Sequence, residues 1–146
     1  MEISCLTDGP VNDKMIAQFI KEMGEKTNSG GHSIFIGQVR ADKINGKKVK
    51  AIEYSAYETM VNVEVSKIKE TILSEFNDAK TIEIVHSVGI VKVGKISLFI
   101  IVSAGHRHDA IEACSKAVEL VKKRLPVWKK EIFEDNSHEW KENRPD

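Results

Sequence analysis

The chain has 146 residues, enough for one domain with a substantial core and too few for two of ordinary size. Lys plus Arg and Asp plus Glu stand at 22 each, so the formal net charge is zero and a general attraction to nucleic acid or to an anionic membrane surface is not supported. An anion site in this chain must therefore be a local cluster of bases, and the longest apolar run, ISLFIIVSAG, is too short to cross a bilayer as a helix.

The opening MEISCLTDGP lacks a basic start and a long apolar stretch, so a secretory leader is not expected. Glu2 to Leu6 reads as a short strand, ended by Gly9-Pro10. Asn12 or Asp13 can cap a helix whose buried face is Met15, Ile16, Phe19, Ile20 and Met23. TNSGGH is a loop, and SIFIGQVRA a strand. Asn45-Gly46 in INGK marks a hairpin turn, with VKAIEYSAY as the returning strand. Glu58 to Phe76 forms a helix with Val61, Val65, Ile68, Ile72 and Phe76 on one side.

TIEIVHSVG and KISLFIIVSAG are strands joined near IVKVG, and the second is apolar almost throughout, as a central strand should be. Asp109 followed by Glu112 has capping-box spacing for a third helix that runs to about Leu125. Pro126 stops it, and VWKKEIF is a last strand. From about residue 134 the chain is polar, and only Trp140 argues against a mobile tail. Hairpin strands interrupted by three main helices predict an α+β fold, with residues 1–146 as a single domain. Cys5 and Cys114 fit no CxxC pattern and sit among apolar residues, so two buried thiols in a reducing cytoplasm are expected.

Four places carry chemistry. Gly105-His106-Arg107 opens the third helix, where free N–H groups and the helix dipole favour an anion, and where a cation has no reason of helix stability to stand. Arg40 ends the strand IFIGQVR, in which Gly37 suggests a bulge or a close backbone approach. Lys129 and Lys130 follow Trp128, with Lys129 on the opposite face from Trp128. Each basic residue can also be read as a solvated surface group. Lys122 is the strongest anomaly. Ile111, Cys114, Val118, Val121 and Leu125 form one apolar stripe at helical spacing, and Lys122 falls inside it. Either its stem packs while the amine escapes at the helix end, or the amine is partly desolvated and usable in catalysis. The five histidines make no metal constellation, and no metal or other cofactor is expected.

FIGQVR, IEYSAYETM, SAGHRHDAIEA and VKKRLPVWKKE occur together and in the order seen in the large, catalytic subunit of molybdopterin synthase, and the chain resembles that family from roughly Met1 to Phe133. The resemblance implies an α/β hammerhead-like fold with an additional antiparallel sheet. It implies a sulfurtransferase that inserts two sulfur atoms into cyclic pyranopterin monophosphate, making molybdopterin for the molybdenum cofactor. The sulfur would arrive as a C-terminal thiocarboxylate on a small ubiquitin-like subunit, in a heterotetramer built on a homodimer of this chain. By the same resemblance Gln38, Val39, Arg40, His106, Arg107, Lys122, Lys129, Lys130 and Glu131 bind substrate, Lys122 and Lys129 are catalytic, and Phe35 lines the pocket. Gly105 stands where the family more often has alanine, which is expected to loosen the turn.

Arg107 and Lys122 lie at opposite ends of one helix, roughly 20 Å apart. A composite site, completed by His106 and Arg107 of a second copy, follows as an expectation, with Ala113 and Leu120 on the outer helix face as the interface. The competing function is a non-catalytic dimeric module that binds a phosphorylated metabolite or a partner's tail.

Overall fold

The computed structural model describes residues 5–141. In chain order the elements are β1 (Leu6–Asp8), α1 (Asp13–Gly24), β2 (Gly31–Gln38), β3 (Lys43–Ile44), β4 (Lys47–Ala56), α2 (Glu58–Glu75), β5 (Ala79–Lys92), β6 (Ile96–Ala104), α3 (Arg107–Arg124), β7 (Val127–Phe133) and β8 (His138–Lys141). The architecture is α+β. The strands run in the order β2-β6-β5-β4-β7-β8, with β1 pairing β5 in parallel and β3 pairing β4.

Strand β5 joins two sheets. Its first part pairs with β6 up to His86, and its last part, from Gly89, pairs with β4. Gly89 has a φ of 83°, a conformation that glycine adopts at no steric cost, and the strand changes partner there. Helices α2 and α3 cover one face of the β2-β6-β5 sheet. Val61, Val65, Ile68 and Ile72 of α2 pack with Ile82, Ile84, Ile100 and Val102 in that layer. On the other face α1 buries Phe19 and Met23 against Val85, Phe99 and Ile101, with Phe19 stacked on Phe99. Strand β6 is buried at every residue from Ser97 to Ala104, as a central strand should be.

Several expectations change. The first strand begins at Leu6, and residues 1–4 lie outside the described residues. Asn12 caps α1, accepting from the Met15 N–H at 2.9 Å, but Ile20 is exposed, while Phe19 and Met23, with partly buried Met15 and Ile16, make the contact with the sheet. The Asn45-Gly46 turn forms, with φ of 51° and 80°, yet it joins only the two-residue β3 to β4. Strand β2 pairs with β6 instead of β4. The IVK segment, expected as a connection, continues β5 to Lys92. The polar tail is ordered to Lys141, since β8 pairs with β7 and Trp140 covers the Lys130 amine at 5.2 Å; residues 142–146 lie outside the described residues.

The register of α3 also differs. Its buried face is Ala110, Ala113, Cys114, Ala117 and Val121, while Ile111 is 55% exposed. Alanine methyls let the helix backbone lie close to β2 and β6, so the small residues and not the isoleucine face the sheet. Ala113 and Leu120 therefore do not form an outer interface: Ala113 is fully buried, and Leu120 packs against the same core. Lys122 moves from the middle of an apolar stripe to its margin, one turn beyond half-buried Val118. Among the described residues no helix is long and apolar enough to cross a membrane.

Enlarging Ala113 tests this register. Ala113→Leu should lower the unfolding free energy by about 1–3 kcal/mol through overpacking, measured by urea denaturation. An outward-facing residue 113 would leave the midpoint unchanged.

Candidate functional site

A groove of about 560 Å³ runs between the end of β2, the second half of α3 and β7. This is the size range of small-molecule sites. Its lining brings together Phe35, Gln38, Val39, Arg40, Lys122, Lys129 and Glu131. The β2–β6 register slips between Gly37 and Gln38, so a bulge does occur at Gly37. A Cβ on Gly37 would lie 3.2 Å from the Leu98 Cβ and 3.4 Å from the Phe35 ring, so glycine permits the close approach that seats this aromatic. Past the bulge Val39 turns inward, with its N–H bonded to the Lys95 carbonyl at 2.9 Å, and Arg40 turns outward. The Arg40 guanidinium is ion-paired with Asp42 at 2.7 Å and remains largely exposed.

Strand β7 distributes its residues by alternation. Lys129 and Glu131 line the groove, on the same face of the strand as buried Val127 and Phe133, and Lys129 is paired in register with Tyr54. Lys130 faces the other way. It pairs with Glu53 at 3.1 Å and lies under the Trp140 ring, so it does not line the groove. Glu131 is buried, with the Lys141 amine 2.9 Å from its Oε1 in an ion pair. That contact is Coulombic.

His106 and Arg107 lie away from the groove, at the start of α3. From Arg107 to Lys122 the helix rises about 22 Å at 1.5 Å per residue. The expected Asp109–Glu112 box does not form: His106 is the N-cap and makes no side-chain cap bond. Asp109 instead accepts from the Asp78 N–H at 3.1 Å. Asp78 in turn accepts from the His106 backbone N–H at 2.7 Å and from its Nδ1 at 3.0 Å. A carboxylate only accepts, so Nδ1 carries the hydrogen, on a ring that is largely exposed. The His106 hydrogen bond holds the Asp78 carboxyl below its ordinary range. Gly105 belongs to this latch. A Cβ there would collide with Asp78 Oδ1, so the glycine tightens the turn against expectation.

Behind the two lysines lies a smaller enclosed chamber of about 20 Å³, lined by Tyr54, His86, Ser97, Lys122 and Lys129 with Leu98, Val121 and Leu125. Sequence reasoning missed Tyr54, His86 and Ser97. The signal was present for His86: it continues the core-facing alternation of Ile82 and Ile84, so a histidine stands where a core residue belongs. Burial, reinforced by Lys122 and Lys129, pushes the His86 imidazole down to about 4, against the Ser87 hydrogen bond that favours its charge. Burial also pushes the Tyr54 hydroxyl up, against the opposing influence of the Ser97 hydroxyl. Among the described residues no group of three His, Cys, Asp or Glu side chains could hold a metal.

His86 predicts an acid sensitivity. In the unfolded chain it titrates near 6.5, above its folded value, so the unfolded state binds the proton first. The contribution is fully present above pH 6.5 and is lost as pH falls through about 4, amounting to roughly 3 kcal/mol. Urea unfolding of the wild type should weaken from pH 6.5 to 4.5 more steeply than that of His86→Gln. Parallel slopes would show that the histidine is charged in the folded protein.

Comparison with known proteins places these features. The family model described as MoaE protein matches residues 7–124, a span that holds Arg40, His106, Arg107 and Lys122 but ends before Lys129. A molybdopterin synthase catalytic subunit of Dictyostelium discoideum is 44% identical over 118 residues, covering 80% of this chain and 74% of the relative. One from Drosophila sechellia is 41% identical over 135 residues, covering 92% of this chain, which spans only 36% of that relative's length. The crystal structure of molybdopterin synthase from Staphylococcus aureus superposes with a TM-score of 0.83 at 31% identity, covering 97% of this chain and 98% of that one. A Helicobacter pylori complex of subunits 1 and 2 of molybdopterin-converting factor shares the fold, with a TM-score of 0.79 at 19% identity and coverage of 95% and 90%. On the extent of these matches, the chain belongs to the MoaE protein family.

Proposed function

We propose that this chain is the catalytic subunit of a molybdopterin synthase, inserting two sulfur atoms into cyclic pyranopterin monophosphate. The observation that carries the reading is the groove that gathers Arg40, Lys122 and Lys129 around Phe35 in a chain of zero net charge. Such a groove suits a flat aromatic ring carrying a phosphate, with Phe35 for the ring and the guanidinium for the phosphate. The sulfur donor is the C-terminal thiocarboxylate of a small ubiquitin-like subunit, threaded toward the lysines. The chain's own thiols suit no part in carrying sulfur. Cys5 and Cys114 are both buried, and burial pushes both thiols up, away from the reactive thiolate. Free buried thiols also fit a reducing cytoplasm.

The role of each base follows from its place. Lys122 and Lys129 line both the groove and the chamber behind it. Their ammonium groups neutralise the thiocarboxylate and steady the oxyanion that forms when its carbonyl is attacked. As the sulfur bonds to a carbon of the pterin side chain, a carbon–oxygen bond at that carbon breaks and the oxygen leaves; water then cleaves the acyl–sulfur bond, and the carrier leaves as an ordinary carboxylate. His106 and Arg107 serve the site of a second copy, because about 22 Å of helix separates them from Lys122. Exposed Ile34 and Ile36 on the edge strand β2 supply apolar surface for a homodimer, in place of the buried Ala113 and half-buried Leu120.

Lys122→Met retains the stem and removes the charge. Stability should hold, while conversion of cyclic pyranopterin monophosphate by the thiocarboxylated small subunit, followed by mass spectrometry, should fall by about a hundredfold or more. Substrate binding without product in the wild type would favour the non-catalytic module. Mixing Lys122→Ala and Arg107→Ala chains should restore activity in hybrid dimers, and inactive hybrids of demonstrated composition would exclude the shared site.

A further inference from the structure

His86 is a buried titratable group that the chemistry above does not use. It stands on β5 at the seam between the two sheets, paired in register with Leu98 of β6 on one side and Leu6 of β1 on the other. Its N–H donates to the Cys5 carbonyl at 2.8 Å. The Tyr54 ring meets it edge-on at 5.1 Å between centroids. Its Nδ1 lies 2.7 Å from the Ser87 carbonyl oxygen. A carbonyl can only accept, so Nδ1 bears the hydrogen, and in the neutral ring Nε2 is then a lone-pair acceptor. The ring is thus fixed in position and tautomer from three strands.

The chamber beside this ring is lined by one polar group from each surrounding element: Tyr54 of β4, Ser97 of β6, Lys122 of α3 and Lys129 of β7. The charged groups among them are both cations. The volume of about 20 Å³ admits one water, which needs roughly 10–15 Å³ of such space and two to four polar partners. Lysine ammonium groups are donors only, so an acceptor in the chamber can add to whatever else fixes the aim of these two. A carboxylate in this position would supply it but would cancel the charge that an anionic substrate needs. A neutral imidazole accepts and leaves both charges available.

We propose that His86 is a positioning residue for the lysine pair: through one water held in the chamber with Tyr54 and Ser97, its Nε2 accepts from the ammonium groups and orients them toward the groove. The assignment rests on the sulfur-transfer reading for its catalytic consequence, but not for its geometry. Burial between two cations keeps the ring neutral, so it acts as an acceptor and not as a proton carrier.

Two measurements separate these parts. Long-range proton–nitrogen correlation spectra of the ¹⁵N-histidine-labelled chain at pH 6 to 8 need no substrate. They should show His86 as the Nδ1–H tautomer, untitrated, with a hydrogen-bonded Nε2. An Nε2–H tautomer or an imidazolium in that range overturns the proposal whatever the reaction. In the synthase assay, His86→Phe retains a ring against Tyr54 and removes the acceptor, whereas His86→Gln restores an amide oxygen near the Nε2 position. His86→Phe should lower kcat by about ten- to a hundredfold, with KM for the pterin within about twofold, and His86→Gln should recover most of the loss. Equal activity in all three folded proteins, or a raised KM at unchanged kcat, overturns the positioning role. If His86→Phe does not fold, the spectra and the His86→Gln kinetics decide. A wild type that transfers no sulfur defeats the functional reading and leaves the tautomer result standing on its own.

Discussion

Helix α3 lies on β2 and β6 through Ala110, Ala113 and Ala117, each essentially inaccessible to solvent. Single methyl groups at the contact bring the helix axis close to the sheet and leave no choice of rotation about it. The placement of both helix ends follows from that one contact. At the N-terminus the backbone of Arg107 sits against Gly31, where a Cβ would lie 3.4 Å from the Arg107 Cα. At the other end the same rotation sets Lys122 on the flank of the helix, over the gap between β2 and β7. A bulkier contact face would lift or turn the helix and move both groups together.

The second organising feature is the change of partner along β5. One continuous strand belongs first to the helix-covered sheet and then to the β4-β7-β8 sheet, turning at Gly89. Two sheets that share a strand but diverge leave a wedge between them, and the groove and its inner chamber occupy that wedge. This explains how residues from seven elements converge without a long loop. It also explains why the polar lining is drawn from strands as much as from the helix: Tyr54, Ser97 and Lys129 are inward-facing strand positions at the seam.

The helices and the central strand were legible in the sequence because burial there follows a simple period. Val61, Val65, Ile68 and Ile72 carry it in α2, and the uninterrupted apolar run of β6 carries it in the sheet. Where legibility failed, small or polar residues decided the packing. Alanine has little weight in a hydrophobic stripe, so α3 was read about Ile111 and Val118 and came out rotated, with Lys122 too deep. Pairing partners were not legible either, since the Asn45-Gly46 turn specifies a hairpin but not its length. Asp78 escaped notice because its role, bonding to His106 from a loop 28 residues away, leaves no local pattern. Most of the groove residues came from the family resemblance, while Tyr54, His86 and Ser97 needed the fold.

The lining of the groove holds Arg40, Lys122, Lys129 and Lys141, but also Asp42, Glu119 and Glu131. The bases that looked like an isolated positive cluster are interleaved with carboxylates, two of them in contact with a cation. Opposite charges a few ångströms apart cancel at distances beyond the Debye length, about 8 Å at physiological ionic strength. Such a groove projects little field into solution and does not draw in anions from afar. An anionic ligand feels its attraction only after entry, when it can displace a carboxylate from Arg40 or approach the lysines directly. Ionic strength should therefore act on how tightly such a ligand is held inside far more than on how often it arrives.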